Sequence, residues 1–181
     1  MVQSTSLFYT EMESPIGMIG LAATETALCW ITFDSGPSAR DELRQWGKKW
    51  LRIEQHQIER NRVLQQAVVQ LQEYFLRQRT EFELPLAIYG TPFQKSVWNQ
   101  LQKIPYGEVR SYKDIAVAIS SSKAVRAVGG ANNKNPLSIV IPCHRVIGSN
   151  GSLTGYGGGL PIKEFLLGME ASHRSQIKEA Q

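Results

Sequence analysis

A chain of 181 residues with 42% hydrophobic side chains can bury a core, and this excludes a disordered protein. No apolar run approaches the ~20 residues of a membrane helix, and the two Cys can form neither a disulfide framework nor a four-thiolate zinc site. The formal charge of +4 argues only weakly for an anionic partner, while Glu11 and Glu13 lie where a signal peptide would be apolar, so a reducing, cytoplasmic compartment is expected.

The first third predicts a meander of antiparallel strands: Leu7 to Tyr9, Met18 to Ala22 and Leu28 to Phe33, with a turn at Ser14-Pro15-Ile16-Gly17. Ser38 to Trp50 spaces Leu43, Trp46 and Trp50 as a helix does. Glu59 to Arg77 predicts an amphipathic helix, because Leu64, Val68, Leu71 and Phe75 recur at steps of 4, 3 and 4. Phe82 to Ile88 has strand composition, but Pro85 confines it to an edge or breaks it. The domains expected are residues 1–85, a small antiparallel sheet with helices, and residues 86–181, mostly helical; the fold class is α+β.

The second half opens on Thr91-Pro92-Phe93-Gln94, a capping box with Pro in the first turn, followed by an apolar stripe of Phe93, Val97, Leu101 and Ile104. Ser111 and Asp114 form a second capping box, and Ser120 to Ser122 are read as a third cap. Two short capped helices in succession predict a helix-turn-helix. Residues 1–85 carry nine basic and eleven acidic side chains, net −2, whereas residues 86–181 carry eleven and five, net +6. The excess falls between Thr91 and Arg145, on Lys95, Lys103, Arg110, Lys113, Lys123, Arg126, Lys134 and Arg145. Localised positive charge is the footprint of a polyanion binder, although a solvated surface has the same composition. Gly129 and Gly130 fall inside the second helix, where each costs roughly 1 kcal/mol relative to Ala. Close approach to DNA would explain them; so would helix packing.

Leu137 to Ile141 reads as a strand leading into Pro142-Cys143-His144-Arg145-Val146. A nucleophilic Cys needs a base or cation beside it, and the base needs an orienting group, for which Glu164 and Glu170 are candidates. In an extended segment Cys143 and His144 would point apart, so a water or a turn is required between them. A buried structural Cys is the plain alternative. Cys29, between Leu28 and Trp30, reads as core. Gly148 to Gly159 forms a Gly-rich loop around Tyr156 that could wrap a flat ligand, and Pro161 begins a helix over Ile162 to Met169.

Ile141-Pro142-Cys143-His144-Arg145-Val146 closely resembles the acceptor-cysteine signature of the O6-alkylguanine-DNA alkyltransferases. The resemblance extends through Phe93 to Trp98, Arg126 to Ala131, Asn135-Pro136 and Tyr156 to Glu164. It implies a ribonuclease H-like sheet in the first domain, and repair of O6-alkylguanine and O4-alkylthymine flipped out of double-stranded DNA by irreversible transfer of the alkyl group to Cys143. His144 would be the base, acting through a water and oriented by Glu170. Asn135 would tie the recognition helix to the active-site turn, and Tyr112 would press on the neighbouring phosphate and donate a proton. Val146, Ser138, Tyr156 and Gly157 would line the base pocket. Arg126 would fill the vacated stack, with Lys113, Gly129 and Ser149 also facing DNA in the minor groove. The resemblance implies a monomer and no cofactor, and without a Cys/His cluster no zinc is expected.

Ser138 stands where some members carry Pro and Gly157 where some carry Ser, which points to a roomier pocket and leaves alkyl preference and O6-benzylguanine sensitivity open. The four-Cys sensor module of the adaptive-response regulators is absent. Two other readings exist: an alkyltransferase-like binding module, which would lack Cys143, and a Cys-His hydrolase, which leaves the basic helix-turn-helix unexplained.

Overall fold

The computed structural model describes residues 6–179. The chain divides between Tyr89 and Gly90 into two compact units.

The N-terminal unit is built on a four-stranded sheet of order β3-β2-β1-β4, with β1 at Phe8–Ser14, β2 at Gly17–Ala23, β3 at Leu28–Thr32 and β4 at Gln57–Ile58. β1 and β2 form a two-residue hairpin, in which Gly17 adopts φ +100° and its carbonyl accepts the Ser14 hydroxyl at 2.6 Å. Only a residue without a Cβ reaches that conformation cheaply. The two-residue β4 lies parallel to β1, so the sheet is mixed. Helices α1 (Gly36–Trp50) and α2 (Arg62–Phe75) complete the unit. Asn61 caps α2 through the Leu64 N–H, and Arg77 beyond its end takes φ +61°. Cys29 is buried beside Tyr9, Ala22, Trp30, Ala39 and Leu43, as expected of a core thiol. Phe82 to Ile88 pairs with the sheet only at Leu86, which bridges to Leu28. There the Leu28 N–H donates to the Pro85 carbonyl and the Ala87 N–H to the Leu28 carbonyl.

The C-terminal unit holds α3 (Pro92–Leu101), α4 (Tyr112–Ala118), α5 (Val125–Asn133) and α6 (Leu160–Glu179). Both Thr91/Gln94 and Ser111/Asp114 form the reciprocal capping boxes that their spacing predicts. The third cap does not form: Ser120 takes φ +56°, the Ala124 N–H donates to the Ser121 backbone carbonyl, and α5 starts after Ala124 without a side-chain cap. Trp98 is buried on α3 and donates its indole N–H to the Ala131 carbonyl at 2.8 Å, fixing α3 against α5. Two short strands, β5 (Arg110–Ser111) and β6 (Val146–Ile147), pair in parallel and bring the start of α4 beside the segment that follows Cys143. No helix among the described residues is long and apolar enough to cross a membrane.

Candidate active site

Leu137 to Ile141 is not the strand its composition suggests. It folds into a tight turn closed by the Ile141 N–H on the Leu137 carbonyl. Asn135 imposes that turn from within: its side-chain N–H donates to the Ile141 carbonyl at 2.7 Å and its carbonyl accepts from the Leu137 N–H at 3.0 Å. Ile139 is thereby held at φ +75°, a left-handed conformation that costs a β-branched residue roughly 1–3 kcal/mol. Strain of this size persists only where the surroundings over-determine the backbone.

Cys143–Arg145 then forms one 3-10 turn rather than extended chain. Successive side chains around such a turn diverge by about 120°, so three neighbouring residues reach three different surroundings. The Cys143 sulfur lies 3.8 Å from the Ser138 hydroxyl. Burial pushes its thiol above the ordinary value, and hydrogen bonding from the Asn135 and Ser138 side chains offsets this only in part. The resting group is therefore a protonated thiol that needs a base.

His144 is fully buried, with Nε2 at 2.8 Å from Glu170 Oε1. Burial holds the imidazole below its ordinary pKa, against the pull of Glu170. A neutral ring beside a carboxylate donates from Nε2 and leaves the lone pair on Nδ1. That atom is buried and has no hydrogen-bond partner among the described residues. Glu170 also accepts from the Gly107 N–H and, through both oxygens, from Arg145. Burial alone would raise its carboxyl, but the hydrogen bonds from His144 and Arg145 and the Arg145 charge outweigh it and keep the group ionised.

On another side of the turn, Lys163 of α6 is fully buried and donates to the Val146 carbonyl at 2.6 Å and the Thr154 carbonyl at 2.9 Å. The Tyr112 hydroxyl lies 2.8 Å from the same Thr154 carbonyl. Lysine and tyrosine together fasten the Gly-rich loop. Tyr156 of that loop is buried; burial first, then nearness to Cys143, pushes its phenol well above the ordinary value.

The structure thus gathers Cys143, His144, Glu170, Asn135, Ser138, Val146, Tyr156 and Tyr112 around one turn. Arg126, Lys113, Ser149 and Gly157 are exposed. Glu164 is exposed, and Glu170 is the partner of His144. Arg145 is not surface charge at all: 6% exposed, it belongs to the Glu170 cluster.

Sequence reasoning missed Arg145, Lys163 and Asn132, whose buried side-chain N–H donates to the Cys143 carbonyl at 3.2 Å. A signal for Lys163 existed: it lies three and seven residues before Leu166 and Glu170, on their buried helical face.

Residues 7–88 match the ribonuclease-like domain of 6-O-methylguanine DNA methyltransferase, and residues 92–172 match its DNA binding domain. The methylated-DNA–protein-cysteine methyltransferase of Methanosarcina acetivorans is 48% identical over 92% of this chain and 99% of its own. The constitutive enzyme of Bacillus subtilis is 46% identical over 90% and 94%. The Mycobacterium tuberculosis O6-methylguanine methyltransferase superposes with TM-score 0.78 at 40% identity, covering 92% of this chain and 94% of its own, and the same enzyme has been crystallised in complex with DNA. With relatives this similar along nearly its whole length, and with a Cys-His-Glu cluster on its DNA binding domain, the chain belongs to the 6-O-methylguanine DNA methyltransferase (methylated-DNA–protein-cysteine methyltransferase) family.

Proposed function

We propose that this protein repairs O6-methylguanine in double-stranded DNA directly, with Cys143 as the alkyl acceptor. The observation that carries the reading is the buried His144, fixed through Nε2 by Glu170 with Nδ1 left without a partner among the described residues, next along the 3-10 turn from a protonated thiol. The Cys143 proton passes to His144, through a bridging water since no direct bond joins the two side chains. The sulfur attacks the methyl carbon in line, the C–S bond forms, and the C–O bond breaks with its electrons going to the guanine. The guanine then takes up a proton, for which we assign the Tyr112 hydroxyl as donor. The thioether is stable, so each molecule acts once.

Guanine O6 is buried in the base stack, and the damaged nucleotide must be rotated out to reach the sulfur. Arg126 is exposed on α5 and suited to fill the gap. Gly129 and Gly130 support an approach by the same helix. An added Cβ at Gly130 would meet nothing within 4 Å, and one at Gly129 would meet only the Tyr112 ring at 3.9 Å. The protein's own packing does not require either glycine. Gly130→Ala is therefore expected to raise stability by up to about 1 kcal/mol while slowing repair of duplex DNA, as read by urea denaturation and single-turnover transfer. Unchanged duplex repair would return the glycine to a neutral role.

The direct test is to mix the protein with duplex DNA carrying O6-methylguanine and measure intact and peptide mass. One methyl group per protein, located on Cys143 and lost in Cys143→Ala, is the expected result. DNA binding with an unmodified Cys143 would leave a recognition protein that does not repair.

A further inference from the structure

Arg145 commits its guanidinium to the cluster through three hydrogen bonds. Its Nε donates to Glu170 Oε2 and its Nη2 to Glu170 Oε1, both at 2.9 Å, and its Nη1 donates to the Ile104 carbonyl at 2.7 Å. The guanidinium carbon lies over the Tyr106 ring, 5.6 Å from its centroid. Buried to this degree, it is unavailable to DNA. The same Glu170 oxygen that Arg145 Nη2 holds also receives His144 Nε2 at 2.8 Å.

The geometry points to Arg145 as a positioning residue for alkyl transfer: it matches the Glu170 charge permanently, so that the carboxylate orients His144 without drawing a proton onto the pair. This rests on the proposed transfer to Cys143. The physics is that of a buried carboxylate, which demands a counter-charge. Guanidinium supplies one that does not titrate in proteins. Without it, Glu170 and an imidazole in a low-dielectric interior would satisfy the carboxylate by binding a proton, on either partner. A pair that already holds a proton cannot accept one from Cys143. The other charged or titratable groups facing the cluster do not substitute. Lys163 points its ammonium at the Val146 and Thr154 carbonyls, Tyr156 and Cys143 are acids that stay protonated, and Tyr106 is committed to His173 at 3.2 Å.

The test compares wild type, Arg145→Met and Arg145→Lys in single-turnover transfer from O6-methylguanine DNA across about pH 6 to 9, with melting curves and DNA affinity alongside. Arg145→Met is expected to slow transfer roughly tenfold or more near neutrality, to regain most of it at the alkaline end as the trapped proton leaves, and to bind DNA as wild type does. Arg145→Lys keeps the charge but not the two-point fork, so its acid limb should move the same way by less; it carries the test if the Met variant does not fold. A loss of equal size at every pH, or a profile superimposed on wild type, would overturn the inference and reduce Arg145 to structural support. If wild-type Cys143 itself takes up no methyl group, the proposed function fails first and this inference with it.

Discussion

Glu170→Ala is expected to abolish measurable repair and to destabilise the C-terminal unit by about 3–5 kcal/mol, because it leaves the buried Arg145 guanidinium without its counter-charge. For a unit of this size that corresponds to a fall in melting temperature of more than roughly 10 °C. The carboxylate also satisfies the Gly107 N–H and the His144 Nε2–H, so with the two Arg145 donors four N–H groups lose their acceptor together. Far-ultraviolet melting of the two proteins measures this, and a difference under about 2 °C would show the cluster to be loosely held.

The same cluster sets the acid response. His144 binds a proton less readily when folded than when unfolded, and Glu170 likewise. For both groups the unfolded chain is the better proton acceptor, so stability is full at neutral pH and falls on acidification. The histidine contribution begins to be lost below about pH 6.5, the value of a free imidazole. The carboxylate contribution is lost below about pH 4.3, as the pH falls towards its lower folded value. Urea midpoints measured from neutrality downward should therefore decline in that order.

Arg126→Ala separates DNA handling from chemistry. Flipping a base costs a few kcal/mol of stacking, and an inserted side chain offsets part of that cost. If Arg126 supplies roughly 2 kcal/mol, its loss slows repair of duplex DNA about thirtyfold. Reaction with free O6-benzylguanine needs no flipping and should proceed at close to the wild-type rate. Arg126 is exposed and outside the Cys143 cluster, so nothing in the site is disturbed. Equal slowing of both substrates would remove Arg126 from the flipping step.

Much of this architecture can be read locally. The two capping boxes are visible because each pairs residues three apart, and the α2 stripe because its spacing follows the helical repeat. The motif around Cys143 marks the proposed acceptor, and the glycines on α5 stand out by their cost in a helix. Local rules fail where the partner is distant. Leu137 to Ile141 has strand composition, yet the Asn135 side chain bends it and forces Ile139 to a positive φ. β4 is two exposed residues that pair only because β1 has a free edge.

Net charge shows most clearly what each level decides. Composition placed the basic excess in the C-terminal half, and the motif around Cys143 singled out one of the two cysteines. Only the tertiary structure revealed that two of the cations in that half, Arg145 and Lys163, are buried at the centre. A sequence places charges along a line, but whether a charge meets solvent or a carboxylate depends on residues such as Glu170, 25 positions away in the chain. That choice is made by packing, where desolvation and the presence of a partner decide whether a cation can be buried at all.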